Sequence, residues 1–172
     1  QALIRTQDYQ PESQVRLQMN LENGLQFRFS DQRLFGSLMV DQLQPVEGKS
    51  SGYSPETEVQ TEIPSSVSHI ARDPLDEEFD LDSVKRKIKN RTAGIKHVIL
   101  DQQLVSGVGN IYADESLWRA RLHFNQPANS ISSKKLNQLF SHIKDVLSEA
   151  VEQGGTSFDQ QYKNINGQSG YF

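Results

Sequence analysis

A single change of period divides this chain. Up to about residue 43, apolar side chains recur at every second position, and from Asp82 onward they recur at every third and fourth. Alternation buries one face of a sheet, whereas a 3.6-residue period buries one stripe of a helix. A β part followed by an α part is therefore expected, an α+β chain with its strands and helices segregated. In the first part Val15, Leu17 and Met19 alternate with Arg16, Gln18 and Asn20, and Leu25, Phe27 and Phe29 alternate beyond Asn23-Gly24. That dipeptide is a strong hairpin signal. Ala2, Leu3 and Ile4 read as strand from the outset, and Gly36–Val40 reads as a further strand. Residues 44–66 hold Pro45, Pro55 and Pro64 and keep neither period, so they read as a long surface loop. The acidic run Asp76, Glu77, Glu78, Asp80 and Asp82 reads as a solvated linker.

In the second part, Ser83 is expected to cap a short basic helix running to Lys89 and Thr92 to cap the next, with Ile95, Val98 and Ile99 inward. The pattern breaks at Gly107-Val108-Gly109. Helix resumes from Ile111, with Asn110 as its N-cap and Asp114 and Glu115 serving its positive end. The longest helix begins at Ser133 and carries Leu136, Leu139, Phe140, Ile143, Leu147 and Val151 on one face, and Gly154-Gly155 ends it.

Composition closes off several chemistries. The 172 residues include no Cys, which excludes disulfides, thiol nucleophiles and Cys-ligated zinc within the chain. No apolar run nears the ~20 residues of a membrane-spanning helix. His69, His97, His123 and His142 show no metal-ligand spacing. The net charge of −4 argues against a nucleic-acid partner, but its distribution does not: residues 1–82 carry −9, residues 83–123 carry +5 and residues 124–172 are neutral. A phosphate backbone responds to patches rather than to a mean.

The physical candidate for such a patch is the helix, glycine turn and helix over residues 92–120. Glycines at 107 and 109 permit a close approach to the main chain. A helix beginning at Asn110 offers unpaired amides and the positive end of its dipole, which together make an anion site. Lys96 and the run Lys85, Arg86, Lys87, Lys89 and Arg91 add positive charge. By residues alone, a tight interhelical connection beside a solvated helix face explains the same pattern.

Three stretches, taken in order, resemble one family. Ile95-Lys96 through Leu100-Asp101-Gln102 to Val105-Ser106-Gly107-Val108-Gly109-Asn110-Ile111-Tyr112-Ala113-Asp114-Glu115 is similar to the helix-two-turns-helix signature of bacterial formamidopyrimidine-DNA glycosylases. Asp31-Gln32-Arg33-Leu34-Phe35-Gly36 resembles their DNA-probing loop. Gly154-Gly155-Thr156-Ser157, ending in Gly167-Gln168-Ser169-Gly170-Tyr171-Phe172, resembles the lesion-covering loop and the strand that leads to the zinc ribbon.

The resemblance implies a partial antiparallel β-sandwich over residues 1–70 and a helix-two-turns-helix DNA-binding domain over residues 71–172, with the lesion loop at its end. It implies that Lys96, Gly109, Asn110 and Tyr171 contact DNA phosphates. Arg33 would hydrogen-bond the orphaned base and Phe35 would wedge into the stack. Thr156, Ser157 and Tyr162 would belong to the loop over the flipped base. The implied parent is a bifunctional glycosylase and AP lyase of base-excision repair that removes 8-oxoguanine and formamidopyrimidines. Its partner would be double-stranded DNA with oxidised or abasic lesions, and its place the bacterial cytoplasm, at the nucleoid.

The family's catalytic proline and glutamate have no counterpart at Gln1-Ala2. The expectation is therefore a fragment or truncated paralogue, without catalytic residues and inactive alone, that binds DNA as a monomer with a sheet edge open to association. No cofactor is expected in this chain, while zinc is expected in the full-length parent. Two other readings remain: a non-catalytic nucleic-acid-binding module with the same helical motif, and a protein-interaction domain working through its acidic half.

Overall fold

The computed structural model describes residues 2–6, 13–32, 34–45 and 62–153, and in these the architecture is α+β. Contacts group the chain into two units, residues 1–40 and 41–172.

In the first unit, Ala2–Thr6 forms β1, Val15–Asn20 forms β2 and Leu25–Ser30 forms β3, an antiparallel sheet in the order β1-β3-β2. Leu17 stands opposite Phe29 and Met19 opposite Phe27. The two alternating sets thus meet side by side, the pairing from which a sheet draws its stability. The expected hairpin is present with a longer turn. Leu21 N–H donates to Leu25 O at 2.8 Å and Gly24 N–H to Leu21 O at 3.2 Å, which leaves Glu22, Asn23 and Gly24 as the loop. Only Gly24 takes a positive φ, +78°, whereas a two-residue type I′ turn would need one at Asn23 as well.

Two details of the β reading are corrected. Residues 36–40 form no strand and are exposed. A strand needs a neighbour for its amides, and the Gly36 N–H goes instead to the Asp31 carboxylate. Arg28, on the face that alternation marks as polar, is buried and donates from Nε to Gln26 Oε1.

In the second unit, Leu43–Pro45 (β4) pairs antiparallel with Glu62–Pro64 (β5). The ends of the stretch read as one loop are therefore joined in a ribbon. Asp41 fastens it by accepting from Ser65 Oγ and Ser66 N–H, each at 2.7 Å. These donors hold its carboxyl far below the usual range. Among the described residues the α-helices are α1 (Leu81–Lys89), α2 (Ile95–Ile99), α3 (Asn110–Arg119) and α4 (Ser133–Glu152).

The starts of α1 and α2 differ from expectation. Asp80, not Ser83, caps α1 by accepting from Ser83 N–H at 2.9 Å. An aspartate three residues upstream reaches that amide, and Ser83 falls inside the first turn. Thr92 caps nothing, because residues 93–95 are pinned to 126–128 through Ala128 N–H to Ala93 O and Ile95 N–H to Gln126 O, and α2 starts after Gly94. The acidic stretch is not merely solvated, since Asp76 and Glu78 both grip Arg72 at 2.6 Å.

The longest helix follows its spacing. Ser132 caps it, and Leu136, Leu139, Phe140, Ile143 and Leu147 are buried, while Val151 is exposed. The Gly154-Gly155 stop lies outside the described residues. Ile88, Ile95, Ile99, Val105 and Leu117 complete the core. The Phe79 ring lies 5.9 Å from that of Phe140. No helix among the described residues is long and apolar enough to cross a membrane.

A charged clamp joins α3 to α4. Arg119 donates from Nε to Glu115 Oε1 at 2.8 Å, and its Nη1 and Nη2 form a fork on Glu149 at 2.7 and 2.9 Å. The fork lowers the Glu149 carboxyl below its ordinary 4.5 and raises the guanidinium. A carboxylate whose folded value lies below its unfolded one stabilises fully above the unfolded value and loses that contribution as pH falls through the folded one. Unfolding midpoints measured from pH 7 downward should therefore hold to about pH 4.5 and then fall. Glu149→Gln should be less stable at pH 7 and show a shallower acid decline. An unchanged slope in that variant would assign the decline to other groups.

Candidate nucleic-acid interface

The short helix α2 is nailed down by Ile95, Val98 and Ile99, all buried, which leaves Lys96 partly exposed and His97 exposed. After it the chain doubles back through residues 100–109. One side chain, Gln102, organises this turn. Its Nε2 donates to Leu100 O at 3.2 Å and to Val108 O at 3.1 Å, and its Oε1 accepts from Gly107 N–H at 3.1 Å. Gly107 has φ +80°, the left-handed region that other residues resist. The turn is tied to residues 71–72 by Ala71 N–H to Gln102 O and Ser106 N–H to Arg72 O.

The turn delivers the chain into α3. Here the expected cap is displaced by one residue. Gly109 is the N-cap, in extended backbone, and Asn110 is the first helical residue, its side chain making no capping bond. The first rung is Ala113 N–H to Gly109 O at 2.9 Å, so the Asn110 and Ile111 amides precede the ladder. The Asn110 side chain is thereby released to solvent. A methyl group on Gly109 would meet no atom of the fold within 4 Å. The space in front of this helix end is open, and no acid lies in the first turn to neutralise it.

Asp114 and Glu115 do not serve the helix end as expected. Glu115 holds Arg119, and Asp114 holds Lys96, with Nζ 2.7 Å from Oδ1 and 2.8 Å from Oδ2. Asp114 sits one turn beyond Asn110, so this pair docks the Lys96 ammonium on α3. With Asp114 61% exposed, the pair is a surface one of about 0.2–1 kcal/mol. A phosphate oxygen can displace that carboxylate at little cost.

The basic run contributes less than its sequence promises. Lys85 is held by Asp82 and Asn137, Lys89 by the carbonyls of Asn129 and Ile131, and Arg91 by Asp101 at 3.4 Å. Arg86 and Lys87 are exposed. Lys85 draws the Asp82 carboxyl below its usual value.

Within the first unit, Phe35 is 87% exposed and follows Leu34, whose φ is +57°. Arg33, Thr156, Ser157, Tyr162 and Tyr171 lie outside the described residues. Among those described, no group of three or more His, Asp or Glu could hold a metal ion, and a chain without Cys offers zinc no thiolate. Sequence reasoning assigned no role to Gln102 or to Asp31. Both were quoted in the motifs, but a hydrogen-bonding role leaves no periodic trace.

The chain is 45% identical over its whole length to the formamidopyrimidine-DNA glycosylase of Rhodococcus erythropolis, covering 55% of that protein, and 51% identical over 145 residues to that of Leifsonia xyli. It spans about half the length of such curated relatives. The crystal structure of MutM (Fpg) from Thermus thermophilus covers 99% of the chain at a TM-score of 0.71 and 28% identity, with 57% of that protein matched. A mutant Fpg of Lactococcus lactis, solved in complex with DNA containing Fapy-dG, gives 0.70 and 26%, with 99% of this chain and 56% of that one covered. The family model described as the formamidopyrimidine-DNA glycosylase H2TH domain matches residues 70–161, just over half of the chain, and the chain therefore belongs to the formamidopyrimidine-DNA glycosylase family.

Proposed function

We propose that this chain binds double-stranded DNA carrying oxidised or abasic lesions and supplies the DNA-gripping part of a base-excision repair glycosylase and AP lyase acting on oxidised purines. The observation that carries this reading is the open, acid-free start of α3, with Lys96 docked beside it on an exposed, displaceable carboxylate. A phosphate placed there meets free amides, the positive end of the dipole and an ammonium together. Residues 71–172 are the DNA-binding domain in this reading, and residues 1–70 carry the duplex probe.

Arg33 would pair with the orphaned base, Phe35 would enter the stack, Tyr171 would add a phosphate contact, and Thr156, Ser157 and Tyr162 would cover the lesion. The complexes of relatives with abasic-site and Fapy-dG DNA support this partner. The site of action is the bacterial cytoplasm, at the nucleoid.

Fluorescence anisotropy with an abasic-analogue duplex over a range of salt concentrations tests the reading. Affinity should fall linearly on logarithmic axes as salt rises. Lys96→Ala should weaken binding to every duplex and reduce the slope by about 1, one phosphate contact. Salt-independent binding, or a Lys96→Ala slope equal to the parent's, would refute the phosphate role. Equal affinity for lesion and intact duplex, unaltered by Phe35→Ala, would favour the non-catalytic binding module.

A further inference from the structure

The loop that presents Phe35 is braced by one carboxylate. Asp31 Oδ1 accepts from Leu34 N–H at 3.1 Å and Oδ2 from Gly36 N–H at 2.6 Å. The two bonds flank Phe35 on both sides. One of them is made by Leu34 itself, held in a left-handed conformation that a leucine adopts only at a cost. The base of the brace is fixed independently of the carboxylate. Asp31 N–H donates to Gln14 O at 3.0 Å, and Arg16 Nε donates to Asp31 O at 2.9 Å, which ties the loop to the start of β2.

Beneath the loop, Phe29 lies against Gly36 so closely that a methyl group there would come within 2.5 Å of the ring. Carboxylate, strained leucine and glycine seat together hold one phenyl ring 87% exposed, where an unrestrained loop would turn so large an apolar side chain inward.

We propose that Asp31 is a positioning residue: its carboxylate preforms the loop so that Phe35 stands ready to enter an unstacked base step. The proposal rests on the reading of Phe35 as the duplex probe. Preforming the loop removes the ordering cost that insertion would otherwise incur. Its signature is the preference for damaged over intact DNA, since the phosphate grip elsewhere is blind to the lesion.

The test is a double-mutant cycle on the full 172-residue chain, measuring affinity for a tetrahydrofuran-containing duplex and for the same duplex intact. Phe35→Ala should lower the preference to the share that Arg33 and the loop of Thr156, Ser157 and Tyr162 would supply. Asp31→Ala should lower it by on the order of threefold to tenfold, leave intact-duplex affinity and its salt slope unchanged, and have no further effect in the Phe35→Ala background. Asp31→Asn keeps one acceptor oxygen and loses the other, so it should fall between. It also serves if the alanine variant does not fold by circular dichroism.

If Phe35→Ala lowers the preference while both Asp31 variants retain it in full, or if the losses add, the brace is overturned and the probe reading survives. If Phe35→Ala leaves the preference intact, both fail together. A parallel loss for lesion and intact duplexes in the Asp31 variants reports a general structural role and also overturns the proposal.

Discussion

Replacing Phe140 by alanine should cost the helical unit about 3–5 kcal/mol, a drop in unfolding midpoint on the order of 10–20 °C. Phe140 is 1% exposed on the inward face of α4 and contacts the ring of Phe79. Truncation removes the transfer energy of the ring, opens a cavity in the buried cluster to which Leu136, Leu139 and Ile143 also belong, and ends the ring pair. Close packing prevents the neighbours from refilling that volume. The matched control is Trp118, the single tryptophan, which lies 80% exposed on α3. Trp118→Ala should move stability by no more than about 0.5 kcal/mol. Thermal unfolding followed by circular dichroism separates the two. A Phe140→Ala midpoint as mild as that of Trp118→Ala would mean that α4 does not seat in this core.

For DNA binding, the change with the largest expected effect is Asn110→Asp, because it pulls stability and affinity in opposite directions. A carboxylate in the first turn of α3 faces the positive end of the dipole and should stabilise the helix by about 0.3–1 kcal/mol. The same charge would stand where a phosphate is expected and repel it. It also replaces an amide donor by a pure acceptor. A lost hydrogen bond to a charged group is worth about 1.5–3 kcal/mol, so affinity should fall roughly tenfold to a hundredfold while the unfolding midpoint holds or rises. Anisotropy and thermal unfolding of one preparation read both signs. Unchanged affinity would remove Asn110 from the interface, whereas a joint loss of stability and affinity would report misfolding instead.

Several parts of this architecture were legible in residue order because the signals are local. The facing sets Leu17, Met19, Phe27 and Phe29 follow from alternation, and the stripe Leu136 to Leu147 follows from helical period. The turn before Asn110 is marked by its glycines. Misreadings arose where two local candidates competed. Asp80 and Ser83 can both cap a helix, and only the course of the chain decides which oxygen reaches the amide. Gly109 and Asn110 compete in the same way, and the glycine's extended backbone decides it. Gly36–Val40 has strand-forming residues, but a strand also requires an adjacent ladder.

The order of residues by itself determined that strands precede helices, that the positive charge gathers in residues 83–123, and that a glycine turn opens a ten-residue helix. These depend on neighbours a few positions apart. Tertiary structure alone decided which charges remain available. Lys96 meets Asp114 from 18 positions away, Arg119 meets Glu149 from 30, and Lys89 spends itself on carbonyls about 40 residues downstream. Pairings at such separations leave no periodic mark, because the intervening chain can take many paths and only the packed core selects one. The charge that reaches a partner's surface is what folding has left unpaired or only loosely paired.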